Sequence, residues 1–140
     1  AKGVWKFEAG TMPTAEVVAL KESIKFINDI GKDKITEYED NLKDYAIETL
    51  RKNNAVQFVG SPKEQGSVFS FNIKNIHSHD VSTIFDQDGV AVRGGHHCCQ
   101  ILHDKLNLNS SVRVSFGVYN NKDDILVLDS AIKKCQKIFG

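Results

Sequence analysis

The sequence is informative first for what it has little of. Its 18 basic residues are matched by 18 acidic ones, a formal net charge of zero, so it carries no electrostatic footprint for a nucleic-acid backbone. No apolar run approaches the ~20 residues that span a bilayer, and the opening residues contain no secretory h-region. A membrane partner is therefore not expected. Cysteine is scarce and odd in number, at three in 140 residues, which argues against a disulfide scaffold and for a reducing, cytoplasmic compartment. There is no internal repeat and no low-complexity segment. The first residues, AKGVWKFEAGT, include no initiator methionine and read as a chain entered partway through, with its natural beginning elsewhere.

What is present is an ordinary globular composition, 41% hydrophobic and 26% charged. A chain this long favours one domain and buries about two-thirds of its unfolded surface, so its core needs neither disulfide nor metal. Val17, Leu20, Ile24 and Ile27 recur at 3-4-3 spacing, which predicts a helix closed by Gly31. Ile35, Tyr38, Leu42, Tyr45, Ala46 and Leu50 predict a second. Ile125, Leu128, Ile132, Cys135 and Phe139 predict a third, with Asn121 as its cap and Asp123 and Asp124 in its first turn. Between these the period falls to two. SVFSFNI puts Phe69, Phe71 and Ile73 on one face, and SVRVSFGV does the same for Val112, Val114, Phe116 and Val118. AVQFV (55–59) and VAVR (90–93) are shorter strand candidates. A short helix is expected from about Ser78 to Asp88, stopped by Gly89, and another between the following loop and the last strand. This order predicts an α+β fold, a small, mostly antiparallel sheet covered by helices.

Strand phase bears on chemistry. With Val112 and Val114 facing the core, Arg113 faces the other way, and with Val90 and Val92 inward Arg93 does too. Each arginine is on this pattern either a solvated surface charge or a ligand-binding one. Both lie near VRGGHHCCQ (92–100), a segment open to three readings. His77, His79, His96, His97, Cys98, Cys99 and His103 are zinc-ligand types, but contiguous ligands diverge and the paired spacing of zinc sites is poorly met. A redox pair is weaker still, because adjacent Cys98 and Cys99 would need a strained ring. The third reading is one nucleophilic thiol, Cys98, with Arg93, His96 and His97 to favour its thiolate and Gly94 and Gly95 as a hinge. Cys135 sits in a helix stripe and reads as a buried apolar residue.

GVAVRGGHHCCQ resembles the active-cysteine segment of the group II cysteine desulfurases, the selenocysteine-lyase-like branch of the class V aminotransferase fold. KFEAGT resembles the segment before that family's C-terminal small domain, which implies that residues 1–13 lead in from a large domain upstream; SVFSFNI with IHSHDVSTIFDQDGVAVR resembles its strand–helix–strand run, and SVRVSFGVYNNKDDI its last strand and helix start. The resemblance implies the C-terminal domain of a fold-type I enzyme that uses pyridoxal phosphate to take sulfur from L-cysteine, or selenium from L-selenocysteine, leaving alanine and a persulfide. It implies that Cys98 is the nucleophile, Arg113 the carboxylate clamp, Arg93 a supporting residue, and Thr11 a contact to the cofactor phosphate of the neighbouring subunit in a homodimer. Gly94, Gly95, His96 and His97 would support the loop. A sulfur-acceptor protein, as in iron–sulfur cluster assembly, is the implied partner.

The departures are Gly94 where Ser, Thr or Ala is usual, which suggests a looser loop, Cys99 for alanine, Ile101 for proline, Met12 for proline and Lys6 for arginine. The cofactor lysine motif is absent from these residues, so no cofactor is expected to be retained and the fragment alone is expected to be inactive. A stand-alone His/Cys metal module and a non-catalytic sulfur carrier remain the alternatives.

Overall fold

A computed structural model describes residues 2–60, 62–63 and 65–139. The chain divides into two compact units, Ala1–Ile35 and Thr36–Gly140. In the first, a 3-10 turn at Gly3–Phe7 precedes α1, Thr14–Ile30. Gly31 closes α1 as expected: its φ is +95°, and its N–H reaches the Ile27 carbonyl at 3.0 Å. The stripe of Val17, Leu20, Ile24 and Ile27 is present but exposed, and α1 buries none of its residues.

Helix α2, Lys32–Leu50, runs into the second unit and there buries Leu42, Ala46 and Leu50. The remaining elements are β1 (Val56–Phe58), β2 (Val68–Ile73), α3 (Ser78–Gln87), β3 (Arg93–Gly95), α4 (Gln100–Lys105), β4 (Ser111–Ser115) and α5 (Lys122–Phe139). The strands form one sheet in the order β1-β2-β4-β3, antiparallel at every pairing. The α+β, antiparallel expectation therefore holds.

Helix ends follow from local chemistry. At α5 the Asn121 side chain accepts from the Asp123 N–H (2.7 Å), and Asp124 accepts in return from the Asn121 N–H (3.0 Å). This reciprocal cap holds the Asp124 carboxyl below the usual carboxylate range, through the Asn121 amide first and the Asn120 side chain second. At α3 the cap is His77, whose Nδ1 accepts from the His79 N–H at 3.2 Å.

The register explains the core. Phe69 faces Val114 and Phe71 faces Val112 across β2 and β4, so these four side chains share a face. Together with Val81 and Phe85 of α3 and Ile125, Leu128 and Ile132 of α5, they belong to one buried cluster. Arg113, opposite Ser70, takes the other face.

Two strand expectations need correction. Val90–Val92 are not in a strand, because the Val90 N–H turns back to the Phe85 carbonyl at the end of α3 (2.9 Å), and pairing begins only at Arg93. Strand β4 stops at Ser115 rather than reaching Val118, since Gly117 and Asn120 bond each other in a turn.

Phe71 is fully buried at the sheet centre, whereas Leu126 is 49% exposed on α5. Phe71→Ala is expected to lower unfolding free energy by about 3–5 kcal/mol, and Leu126→Ala to stay within about 0.5 kcal/mol, both read by urea denaturation.

Candidate active site

The site is built on the sheet face away from the core. Arg93 and Arg113 are direct partners across β3 and β4, which sets two like charges side by side, an arrangement that costs stability unless an anion is shared between them. Among the described residues neither has an ion-pair partner. The Arg113 side chain is half-buried, and its Nε is buried with no hydrogen-bond partner among the described residues. A carboxylate presented to this face would meet planar, bidentate donors.

Residues 96–99 leave the end of β3 as a tight turn, with the Cys99 N–H on the His96 carbonyl at 2.9 Å. His97 and Cys98 are both left-handed, at φ +55° and +60°, a conformation that costs L-residues roughly 1–2 kcal/mol each. Side chains hold the turn in place. Arg93 Nη2 donates to Cys98 Sγ at 3.4 Å, and the His97 ring reaches Ser111 Oγ at 3.0 Å. Cys98 is exposed, at the edge of a shallow apolar shelf with Ile101 and Leu102. A cation in contact and open access are what a reactive thiol requires.

The other two thiols differ. Cys99 is half-buried, and its S–H donates to the His96 carbonyl at 2.9 Å. Cys135 is fully buried in the α5 stripe, as expected, where burial and then Asp88 push its thiol up. All three are free.

Gly94 and Gly95 lie in β3 rather than in a free loop. Gly94 pairs with Val112 and so points at the helix layer, where a Cβ would stand 2.5 Å from Ser82 Oγ and 2.9 Å from the Ser78 carbonyl. The missing side chain lets β3 seat on α3, so Gly94 tightens the site rather than loosening it. Gly95, at φ +121°, is where the chain departs for the turn.

The second unit thus brings together Cys98, Arg93, Arg113, His96 and His97. Thr11 belongs to the first unit, exposed ahead of α1. Two residues went unnoticed as partners of this site: Ser111 and His103, both buried. Ser111 shares the strand phase of Arg113, which was the available signal. Among the described residues no three His, Cys, Asp or Glu side chains converge as a metal set, and His77, His97 and His103 are engaged in hydrogen bonds of their own. The site offers two guanidinium groups and an exposed thiol, but its residues do not by themselves fit pyridoxal phosphate. Among the described residues the one buried lysine, Lys43, is committed to Asp40 at 2.9 Å and the Gln65 carbonyl at 3.3 Å.

Gly94→Ala is expected to cost about 1–3 kcal/mol of stability by forced repacking, with Ser82→Ala recovering only part, because the Ser78 carbonyl cannot move aside. His97 gives a pH test. Burial, then the Arg113 charge, hold its imidazole below the ordinary histidine range. The unfolded chain therefore binds the proton first as pH falls, and the His97 contribution is complete above about pH 6.5 and lost below it. The melting temperature should drop between about pH 7 and pH 5, and His97→Gln should flatten that drop.

The profile of the aminotransferase class V family matches residues 1–128. A probable cysteine desulfurase of Halobacterium salinarum is 43% identical over 137 residues, covering 97% of this chain and 33% of that protein. The cysteine desulfurase of Haloferax volcanii is 38% identical, covering 97% and 32%. Among solved structures, the apo cysteine desulfurase of Thermococcus onnurineus superposes with a TM-score of 0.83 at 30% identity, covering 99% of this chain and 34% of its own. The Escherichia coli cysteine desulfurase CsdA, in an S-sulfonic acid form, gives 0.88 at 26% identity, covering 100% and 35%. The chain spans about a third of the length of the curated relatives it matches. With the family profile extending over most of its residues, the chain belongs to the class V aminotransferases.

Proposed function

We propose that this chain is the C-terminal small domain of a cysteine desulfurase and that Cys98 is the residue that receives the sulfur. The observation that carries the reading is the contact of Arg93 with an exposed Cys98 thiol, on the strand pair where Arg113 stands opposite Arg93 with no anion of its own. The names of the relatives support it. The net reaction balances as L-cysteine plus the Cys98 thiol giving L-alanine plus a Cys98 persulfide. The Cys98 thiolate attacks the substrate sulfur, a sulfur–sulfur bond forms, and the substrate Cβ–S bond breaks. The carbon keeps the electron pair and takes up a proton.

Arg113 holds the substrate carboxylate through its guanidinium fork, and Arg93 holds the attacking sulfur in place through its contact at 3.4 Å. The pyridoxal phosphate of this family is held by residues outside this chain, with Thr11 contributing to the phosphate across a homodimer; both points rest on the resemblance. The exposed shelf of Ile101 and Leu102 beside the thiol suits a protein acceptor of sulfur, as in iron–sulfur assembly. Three free thiols are consistent with a reducing cytoplasm.

The test uses the protein at its full length. After incubation with L-cysteine, peptide-level mass spectrometry should find added sulfur on Cys98, and none on this domain in Cys98→Ser. Added sulfur on Cys99 or Cys135 in that variant would sink the reading. Arg113→Lys should lower kcat/KM for cysteine about ten- to a hundredfold, through loss of a charged bidentate contact.

A further inference from the structure

Behind the thiol turn, the contact of His97 with Ser111 continues into a hydrogen-bond relay to His103. Ser111 is fully buried, and its Oγ lies 3.0 Å from His97 Nε2 and 3.0 Å from His103 Nε2. A hydroxyl has one proton to give and two lone pairs to accept with, so it cannot donate to both rings, and at least one Nε2 carries a proton. The backbone decides the arrangement. His103 Nδ1 sits 3.2 Å from the Cys99 carbonyl, which can only accept, so Nδ1 of His103 holds the proton. His103 Nε2 is then the acceptor, the Ser111 O–H points to it, and His97 donates its Nε2–H to the serine oxygen. The Nδ1 of His97 is left bare, and it is a buried nitrogen without a partner.

We propose that Ser111 is a positioning residue of the thiol site: its hydroxyl passes the His103 tautomer on to His97, which takes the opposite one, and tethers the turn that carries Cys98. Three elements meet at its hydroxyl. His97 comes from the turn, His103 from α4, and Ser111 itself from β4, where it pairs with Gly95, the last residue before the turn. The tether offsets the left-handed backbone at His97 and Cys98 and keeps Cys98 within reach of Arg93. The charged and titratable groups facing His97 are Arg113 of β4, Arg93 of β3 and His103 of α4. Their charges and its burial disfavour a second proton on His97, which keeps the single-donor logic intact at neutral pH. The link to sulfur chemistry rests on the desulfurase reading; the tautomer assignment does not.

The test is a two-bond proton–nitrogen correlation spectrum of the full-length protein labelled with ¹⁵N-histidine, at about pH 8, above the ordinary histidine pKa of about 6.5. His97 should show the Nε2–H pattern and His103 the rarer Nδ1–H pattern. Ser111→Ala, which leaves the Cys99 carbonyl in place, should keep the His103 pattern, abolish the His97 preference for Nε2–H and slow alkylation of Cys98 by iodoacetamide about fivefold, the equivalent of one ordinary hydrogen bond. Ser111→Thr, which keeps the hydroxyl, should restore both. A wild-type protein with both rings protonated on Nε2 would overturn the proposal, as would an Ser111→Ala variant with an unchanged spectrum and Cys98 rate. Neither readout requires sulfur transfer, so failure here and failure of the desulfurase reading are told apart by the persulfide experiment.

Discussion

Pairing of β2 with β4 is the constraint on which the second unit depends. Each strand alternates, and in the observed register Phe69 and Phe71 meet Val114 and Val112 on one face. That face packs with α3 and α5 and supplies the centre of the core. The same alternation sends Ser111 and Arg113 to the opposite face. One strand therefore serves both as a floor for the core and as a platform for the chemistry. A slip of one residue would exchange the two sets and destroy both at once.

The site carries stored unfavourable terms. Two arginines are set opposite each other without an intervening carboxylate among the described residues. Two consecutive residues are left-handed, and a guanidinium nitrogen and an imidazole nitrogen are buried without partners. Each alone has a cost, and they are concentrated on one sheet edge, where the proposed site lies. The packed core elsewhere offsets them. Gly94 belongs to the same economy, because its lack of a side chain brings the short β3 against α3 and fixes where the turn begins.

How much was legible in the sequence follows the range of the interactions. The helices were visible because their stripes and caps are local, down to the Asn121 cap and the Gly31 stop. The direction of Arg113 was visible because a period of two needs only its own strand. The strand at Arg93–Gly95 was not, since RGG has no apolar alternation and pairs only because the edge of β4 and the surface of α3 receive it. Burial of Ser111 was hidden for a similar reason: its cover comes from a turn and from α4, whose placement depends on backbone angles that residue types do not announce. The glycines at 94 and 95 pointed to an unusual backbone, and the resemblance named the thiol, but neither disclosed that Gly94 is a packing contact.

The turn has a geometric consequence for how far its sulfur can travel. It is anchored on one side at Gly95, the last paired residue of β3, and on the other at Gln100, the first residue of α4. If the contacts to Ser111 and Arg93 release, the sheet and α4 can stay folded, and Cys98 moves on a leash of two residues from Gln100. At about 3.3–3.6 Å per residue that leash is roughly 7 Å, plus the length of one side chain. Any group that gives an atom to this thiol, or takes one from it, has to enter that small sphere.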